Sequence, residues 1–431
     1  MNDRIQVATS GPIVGSIQPP GSKSITNRAL VCAALAHGNS ILRGALDSED
    51  TQVMIDSLDR LGIVVEASDE KQTLAVTGCG GRLPKPTGDL FVGNSGTTIR
   101  FLTAMLAACE GEFRLDGVPR MRERPIGDLM DALNRLGSDC QGEIKPGFPP
   151  VKLKARGLGG GDVEVRGDVS SQFLSGLLMA APVAKNPVRV HVTGDLVSKP
   201  YVHMTLAVMK SFGIDVGQTR SEDSLSLIEL AAPQKYTGID YQIEPDASAA
   251  SYFWAAAAIT GGSVTVKNLG PDALQGDVGI VDCLEQMGCR VERQPHQITV
   301  SGKALRGIEV DMNAISDTVQ TLAAVALFVD GPTIIHGVGH IRHKETDRIG
   351  DLARELRKLG ATVEERDEGL TIIPGPLKAA TIETYRDHRM AMSLALPGLL
   401  VPGVVILDPG CTAKTYPHYF EDLAALCRGA H

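Results

Sequence analysis

The sequence predicts an α/β protein of six βαβαββ units, arranged as two similar three-unit domains. Three observations carry this expectation. One helix–turn–strand pattern returns six times, a glycine closes a second helix at a nearly constant interval, and the strands missing after the last helix are available in the first residues of the chain.

Each unit opens with polar residues, often serines, and continues into an Ala/Leu helix, a glycine turn and a β-branched strand. The pattern reads SKSITNRALVCAALAHGNSILRG from Ser22, NSGTTIRFLTAMLAACEGEFRLDG from Asn94 and SSQFLSGLLMAAPVAKNPVRVHV from Ser170. It returns as ASAASYFWAAAAITGGSVTVKNL from Ala247, ISDTVQTLAAVALFVDGPTIIHG from Ile315 and YRDHRMAMSLALPGLLVPGVVIL from Tyr385. A second, amphipathic helix follows most copies, as in IDSLDRLG, MDALNRLG and LARELRKLG. Its closing glycines, Gly62, Gly137, Gly213, Gly288 and Gly360, recur every 72 to 76 residues or so, and glycine suits the left-handed position that ends a helix. A sixth such helix, FEDLAALCR, has no strands after it. Residues 4–18, RIQVATSGPIVGSIQ, alternate well enough to form a hairpin that completes the sixth unit. The expected domains are therefore 22–241, and 1–21 together with 242–431, with a hinge at two crossings near 20–22 and 240–242.

Composition narrows the function. The chain has 431 residues, 43% of them hydrophobic and 22% charged, which suits folded cores rather than disorder. Aromatics make up only 4% and glycines number 47, so the cores are built of Ala, Leu, Val and Ile. A net charge of -9 disfavours nonspecific nucleic-acid binding but permits a local basic pocket. The eight cysteines form no CxxC pair, and no leader or membrane-spanning run is visible, so a cytoplasmic protein with reduced thiols is expected.

The basic residues gather where anions bind. Lys23 and Arg28 open the first unit, Arg100 lies near the start of the second, and Arg389 opens the sixth. A helix N-terminus presents unpaired N–H groups and a partial positive charge, and so receives phosphates and carboxylates. Ser, Thr and Asn at such places also serve simply as caps. Further cations lie in RMRERP, which ends at Arg124-Pro125, in HKETDR from His343 to Arg348, and at Lys414. Such charge runs are also compatible with a solvated face. The repeats taken alone would equally suit a βαβαββ clamp or binding module, since fold does not imply function.

PGSKSITNRAL, LFVGNSGTTIRFL, PRMRERPIGDL, DVSSQFLSGLLMA, HKETDRIGDL, YRDHRMAMSLAL and DPGCTAKTYPHYF, in this order from about residue 20 to residue 420, resemble the signature segments of the 5-enolpyruvylshikimate-3-phosphate synthase family. The resemblance implies an inside-out barrel of two three-unit domains, the fold of enolpyruvyl transferases. It implies transfer of the enolpyruvyl group of phosphoenolpyruvate to the 5-hydroxyl of shikimate 3-phosphate, a step toward chorismate and the aromatic amino acids. Two phosphates and two carboxylates bring roughly five to six negative charges, which a dense set of cations must meet.

By the same resemblance, Lys23, Gly96, Arg124, Gln172, Arg348, Arg389 and Lys414 hold phosphoenolpyruvate. Lys23, Ser24, Arg28, Ser170, Ser171, Gln172, Ser198, Tyr201, Asp317 and Lys344 hold shikimate 3-phosphate. Asp317 is the expected base toward the hydroxyl, Glu345 the proton donor to the methylene carbon and Lys23 a charge stabiliser or proton relay. Asp317 could also cap a helix, and Glu345 could pair with Arg348 along one helical face. Gly96 and Thr97 match the form that admits glyphosate. His340, His343, Ser95, Phe101 and Gly410 depart from the usual family residues.

No cofactor is expected, and no metal. His336, His340 and His343 have helical spacing, but Gly337 and Gly339 argue against a helix there. UDP-N-acetylglucosamine enolpyruvyl transferase would carry a cysteine in the loop that here reads VPRMRERPIG. The expected partners are the two small substrates, with no nucleic acid and no membrane, and the expected state is a monomer that closes on shikimate 3-phosphate.

Overall fold

A computed structural model of the chain describes residues 3–68, 72–217 and 225–429. The chain divides into two compact units, one reaching from the N-terminus to Pro20 and resuming at Glu244, the other spanning Gly21–Ile243. Each contains three small sheets.

The second repeat displays a whole unit in one stretch. Thr87–Phe91 runs parallel to Glu110–Asp116, which pairs antiparallel with Val151–Arg156, and that strand in turn pairs with Asp139–Gly142. Two helices, Gly96–Ala108 and Gly127–Arg135, connect these strands. The fifth repeat copies the order with Glu309–Asp311, Thr333–His336, Gly369–Ile373 and Thr362–Arg366. Each parallel pair needs a helical crossover, and the following antiparallel pair needs only a turn.

The two helices of a unit differ because their surroundings differ. Gly96–Ala108 is buried along its entire length, and Ala247–Thr260 along all of it except Thr260. A helix apolar on every side belongs inside. Gly127–Arg135 buries Leu129, Met130, Ala132 and Leu133 and turns its other face outward. The closing glycines take φ between +82° and +115°, the left-handed geometry expected of them.

The N-terminal segment does not form the hairpin expected of residues 4–18. Arg4–Gln6 pairs antiparallel with Val405–Leu407 of the sixth unit, whereas Val14–Ile17 pairs parallel with Ser263–Lys267 of the fourth. Only the first of these completes the sixth unit. In the other compact unit, Asp240–Gln242 pairs parallel with Asn39–Arg43, supplying the first strand of the first repeat. Alternation sets which side chains face inward, but it does not choose the sheet whose unpaired edge a strand will satisfy.

The unit containing residues 244–429 has an aromatic knot at its centre. Tyr252, Phe253, Tyr416, Tyr419 and Phe420 meet edge to face or tilted, with ring centroids 5.1–6.0 Å apart. The single tryptophan, Trp254, is fully buried and donates its indole N–H to the Ile298 carbonyl. Among the described residues, no helix is long and apolar enough to cross a membrane.

Candidate active site

The opening helices share an electrostatic feature that all but one of the second helices lack, the exception being Lys199–Ser211. Those beginning at Lys23, Gly96, Ser171, Ala247, Val319 and His388 have no acidic residue in the first turn. Five second helices do: Glu49 and Asp50, Asp128, Asp282, Asp351, and Glu421 with Asp422 occupy their first turns. An acidic residue at that place would answer the positive end of the helix dipole and repel an incoming anion.

Within residues 21–243, two clusters form around helix starts. Ser22 caps the helix Lys23–Leu35 through the Ile25 N–H, which places Lys23 and Ser24 in its first turn. Arg28, one turn on, is 2% exposed. It donates from Nε to Thr205 Oγ1 (2.7 Å), from Nη1 to the Ser24 carbonyl (2.8 Å), and from Nη2 to Ser175 Oγ (3.3 Å) and the Tyr201 carbonyl (3.1 Å). Its guanidinium lies 5.1 Å from the Phe101 ring centre, and burial pulls its pKa down to about 10. These bonds occupy four of the five guanidinium N–H groups. Ser198 stands just before the helix Lys199–Ser211 in a left-handed conformation (φ 54°), and Tyr201 lies in the first turn of that helix.

In the second cluster Ser95 caps the helix Gly96–Ala108 through the Thr98 N–H. Arg124 Nη1 reaches the Asn94 carbonyl (3.1 Å) and its side-chain oxygen (3.4 Å). Gln172 accepts from Arg100 Nη1 (2.6 Å) and donates to Thr97 Oγ1 (3.2 Å), while Ser170 caps the Gln172 N–H. Arg100 Nη2 also holds the Pro125 carbonyl (2.9 Å). The glycine at 96 leaves room for two guanidinium groups, which would have to shift to admit a side chain. A Cβ would stand 2.3 Å from Arg124 Nη2 and 2.8 Å from Arg100 Nη1.

Within residues 244–429, six predicted side chains join one ion-pair network. Asp317 Oδ1 accepts from Lys344 Nζ and from Arg348 Nη1 (3.2 Å), and its Oδ2 accepts from Arg389 Nη2 (2.7 Å). Glu345 Oε1 accepts from Lys414 Nζ (2.8 Å) and Oε2 from Arg348 Nη2 (2.9 Å). Arg348 turns its Nε to Asp387 Oδ2 (2.7 Å), and Asp387 caps the Arg389 N–H (2.9 Å). Arg389 also reaches Tyr252 Oη and Ser248 Oγ, each at 3.4 Å. Four cations thus surround three carboxylates.

Burial opposes the charge on Arg348, but Asp387, Glu345 and Asp317 outweigh it and raise its pKa. Burial lowers that of Lys344 against the pull of Asp317. The Tyr252 phenol is pushed up to about 12 by burial, despite Arg389 beside it. His340 falls to about 3, from burial first and then the Lys344 charge.

The pairing of Glu345 with Arg348 is present in the network. Asp317 lies in a tight turn, Asn313–Thr318, just before the helix Val319–Val325. His336 sits on a strand and His340 and His343 in a turn. No group of three or more His, Cys, Asp or Glu among the described residues could hold a metal ion.

The comparisons agree along almost the whole chain. Residues 7–423 match the model of the family described as EPSP synthase (3-phosphoshikimate 1-carboxyvinyltransferase). The chain belongs to the EPSP synthase family. Its relatives include a 3-phosphoshikimate 1-carboxyvinyltransferase of Nostoc punctiforme, 49% identical across 97% of this chain and 98% of that one. Another, from Marinomonas, is 46% identical across 96% and 97%. A solved EPSP synthase structure from Acinetobacter baumannii matches with a TM-score of 0.81 at 26% identity, covering 99% of this chain and 97% of that one.

Three side chains take parts in the site that sequence did not assign to them. Asp387 has the largest part, being fully buried and bound to Arg348 through both oxygens. The signal was an aspartate capping a helix that carries an arginine at its second position. Arg100 holds Gln172, and Ser248 lies between Arg389 and Asp277. The pairing of Arg100 with Gln172 spans 72 residues and that of Ser248 with Arg389 spans 141, so neither pairing has a local signature.

Proposed function

We propose that this chain transfers the enolpyruvyl group of phosphoenolpyruvate to the 5-hydroxyl of shikimate 3-phosphate and releases inorganic phosphate. The carrying observation is that Asp317 and Glu345, the two carboxylates assigned to proton transfer, share one network with Lys344, Arg348, Arg389 and Lys414.

In this reading Asp317 takes the proton of the 5-hydroxyl as its oxygen attacks C2 of phosphoenolpyruvate. Glu345 protonates C3, giving a tetrahedral adduct. The methyl group then returns a proton and the C2–phosphate bond breaks, so phosphate leaves with the electron pair and the enol ether forms. Arg348, Arg389 and Lys414, with Lys23, Gly96, Arg124 and Gln172, hold phosphoenolpyruvate. Arginine suits both its carboxylate and its phosphate because the fork binds two oxygens at once. Ser24, Arg28, Ser170, Ser171, Gln172, Ser198, Tyr201, Asp317, Lys344 and Lys23 hold shikimate 3-phosphate. The geometry of Arg28 favours a supporting part, because most of its donors already bind protein oxygens.

We place the enzyme in the cytoplasm, which suits eight cysteines that form no disulfide. We take it to act as a monomer. Phosphate release that requires both substrates tests the activity, and release from phosphoenolpyruvate without shikimate 3-phosphate would contradict it. Sedimentation tests the monomer.

A further inference from the structure

The turn leading into Asp387 has a backbone that side chains disfavour. Tyr385 and Arg386 are consecutive non-glycine residues with φ of 54° and 57°. The left-handed region crowds Cβ against the following carbonyl, and a bulky residue there is an outlier that its surroundings must hold in place.

What holds it is a buried carboxylate on the helix Gly350–Lys358. Glu355 has no exposed surface, and its Oε1 accepts from Tyr385 Oη (2.6 Å) while Oε2 accepts from the Glu383 N–H (3.1 Å). Lys358 balances its charge at 2.7 Å. Arg354 donates to Tyr385 Oη (3.0 Å) and lies 5.6 Å from the ring centre. The phenol is pushed up to about 12 by burial and by Glu355, so it remains a donor at neutral pH.

The same turn is tied a second time, a few residues on. Arg348, just ahead of the Glu355 helix, binds Asp387 through Nε and Nη2 (2.7 and 3.1 Å). Asp387 then fixes Arg389 by capping its N–H. One short stretch, Glu345 to Lys358, therefore grips both sides of a strained turn whose far end carries a cation of the network.

We propose that Tyr385 and Glu355 are positioning residues for the reaction. Their hydrogen bond keeps residues 385–386 left-handed, which aims Asp387 at Arg348 and Arg389 at Asp317. The proposal rests on the function above, and the test separates the two.

Tyr385→Phe and Glu355→Gln are compared with the full wild-type chain, in steady-state kinetics and in crystal structures. Freeing the turn should lower kcat/KM for phosphoenolpyruvate about tenfold or more, because small misplacements of binding groups are costly in rate. KM for shikimate 3-phosphate should stay within about twofold, since most of its proposed contacts lie elsewhere. Arg386→Gly in the Tyr385→Phe background should recover most of the loss, because glycine takes the left-handed conformation freely. A merely structural bond would lower Tm without this split or this rescue. The Tyr385→Phe crystal structure should show residues 385–386 out of the left-handed region and Arg348 separated from Asp387. An unchanged turn, or kcat/KM within about twofold of wild type in both variants, overturns the proposal. If Tyr385→Phe does not fold, Glu355→Gln carries both readouts. If the wild type turns over neither substrate, the functional reading falls, and the crystal structures alone decide for or against the clamp.

Discussion

Lys414 donates to Glu345 Oε1 at 2.8 Å, while the other oxygen of the same carboxylate accepts from Arg348. Both cations are also assigned to phosphoenolpyruvate. A substrate anion that draws Lys414 and Arg348 toward itself loosens their hold on Glu345. Anion binding and release of the proposed proton donor would then be a single event.

Replacing either carboxylate should therefore affect turnover more than binding. Asp317→Ala and Glu345→Gln are each expected to lower kcat about 100- to 10,000-fold, the usual range for a general acid or base. Steady-state kinetics at saturating co-substrate checks this. A near-normal kcat in both variants would remove the assigned roles.

Arg28→Ala should cost stability as well as substrate affinity. The substitution strands Thr205, Ser175 and two carbonyls beside a cavity, so a loss of about 2–4 kcal/mol is expected, together with a higher KM for shikimate 3-phosphate. Urea unfolding measures the first. A rise in KM with unchanged stability would show that these internal bonds contribute little.

Gly96→Ala should act through Arg124 and Arg100. With a Cβ 2.3 Å from Arg124 Nη2, the guanidinium must shift, which is expected to raise KM for phosphoenolpyruvate about tenfold or more. Glyphosate inhibition should weaken in parallel, while KM for shikimate 3-phosphate changes far less. Inhibition kinetics with both substrates varied in turn would reveal the difference. Equal losses for both substrates would contradict it.

His340 makes a pH prediction with a definite sign. Burial and Lys344 hold its folded pKa at about 3, against an ordinary value of 6.5. Between these values the unfolded chain binds a proton that the folded chain refuses, so stability falls as pH drops from 6.5 toward 3. One proton is worth about 1.4 kcal/mol per pH unit. Asp317, Lys344 and His343 are the charged or titratable groups that act on it. His340→Asn should flatten the pH dependence of urea unfolding by that slope, and an unaltered dependence would show that the histidine titrates normally when folded.

Sequence alone determined the features that depend on neighbours along the chain. Ser22, Ser95 and Ser170 cap their helices through N–H groups two or three residues on, and the glycines at 62, 137, 213, 288 and 360 adopt the left-handed turn that a helix end needs. The six opening helices and the basic residues near several of them were visible for the same reason. Tertiary structure decided what depends on distant partners. Arg4–Gln6 and Val14–Ile17 join different sheets because unpaired edges nearly 400 and 250 residues away are waiting for them, and alternation carries no label for an edge. Arg28 was expected only to hold shikimate 3-phosphate, and its enclosure by Thr205 and Ser175 depends on residues 177 and 147 positions away. Asp387 carries its main role only because Arg348, 39 residues earlier, comes to rest against it. A buried charge is satisfied by whatever the fold brings near, and that choice is made in three dimensions.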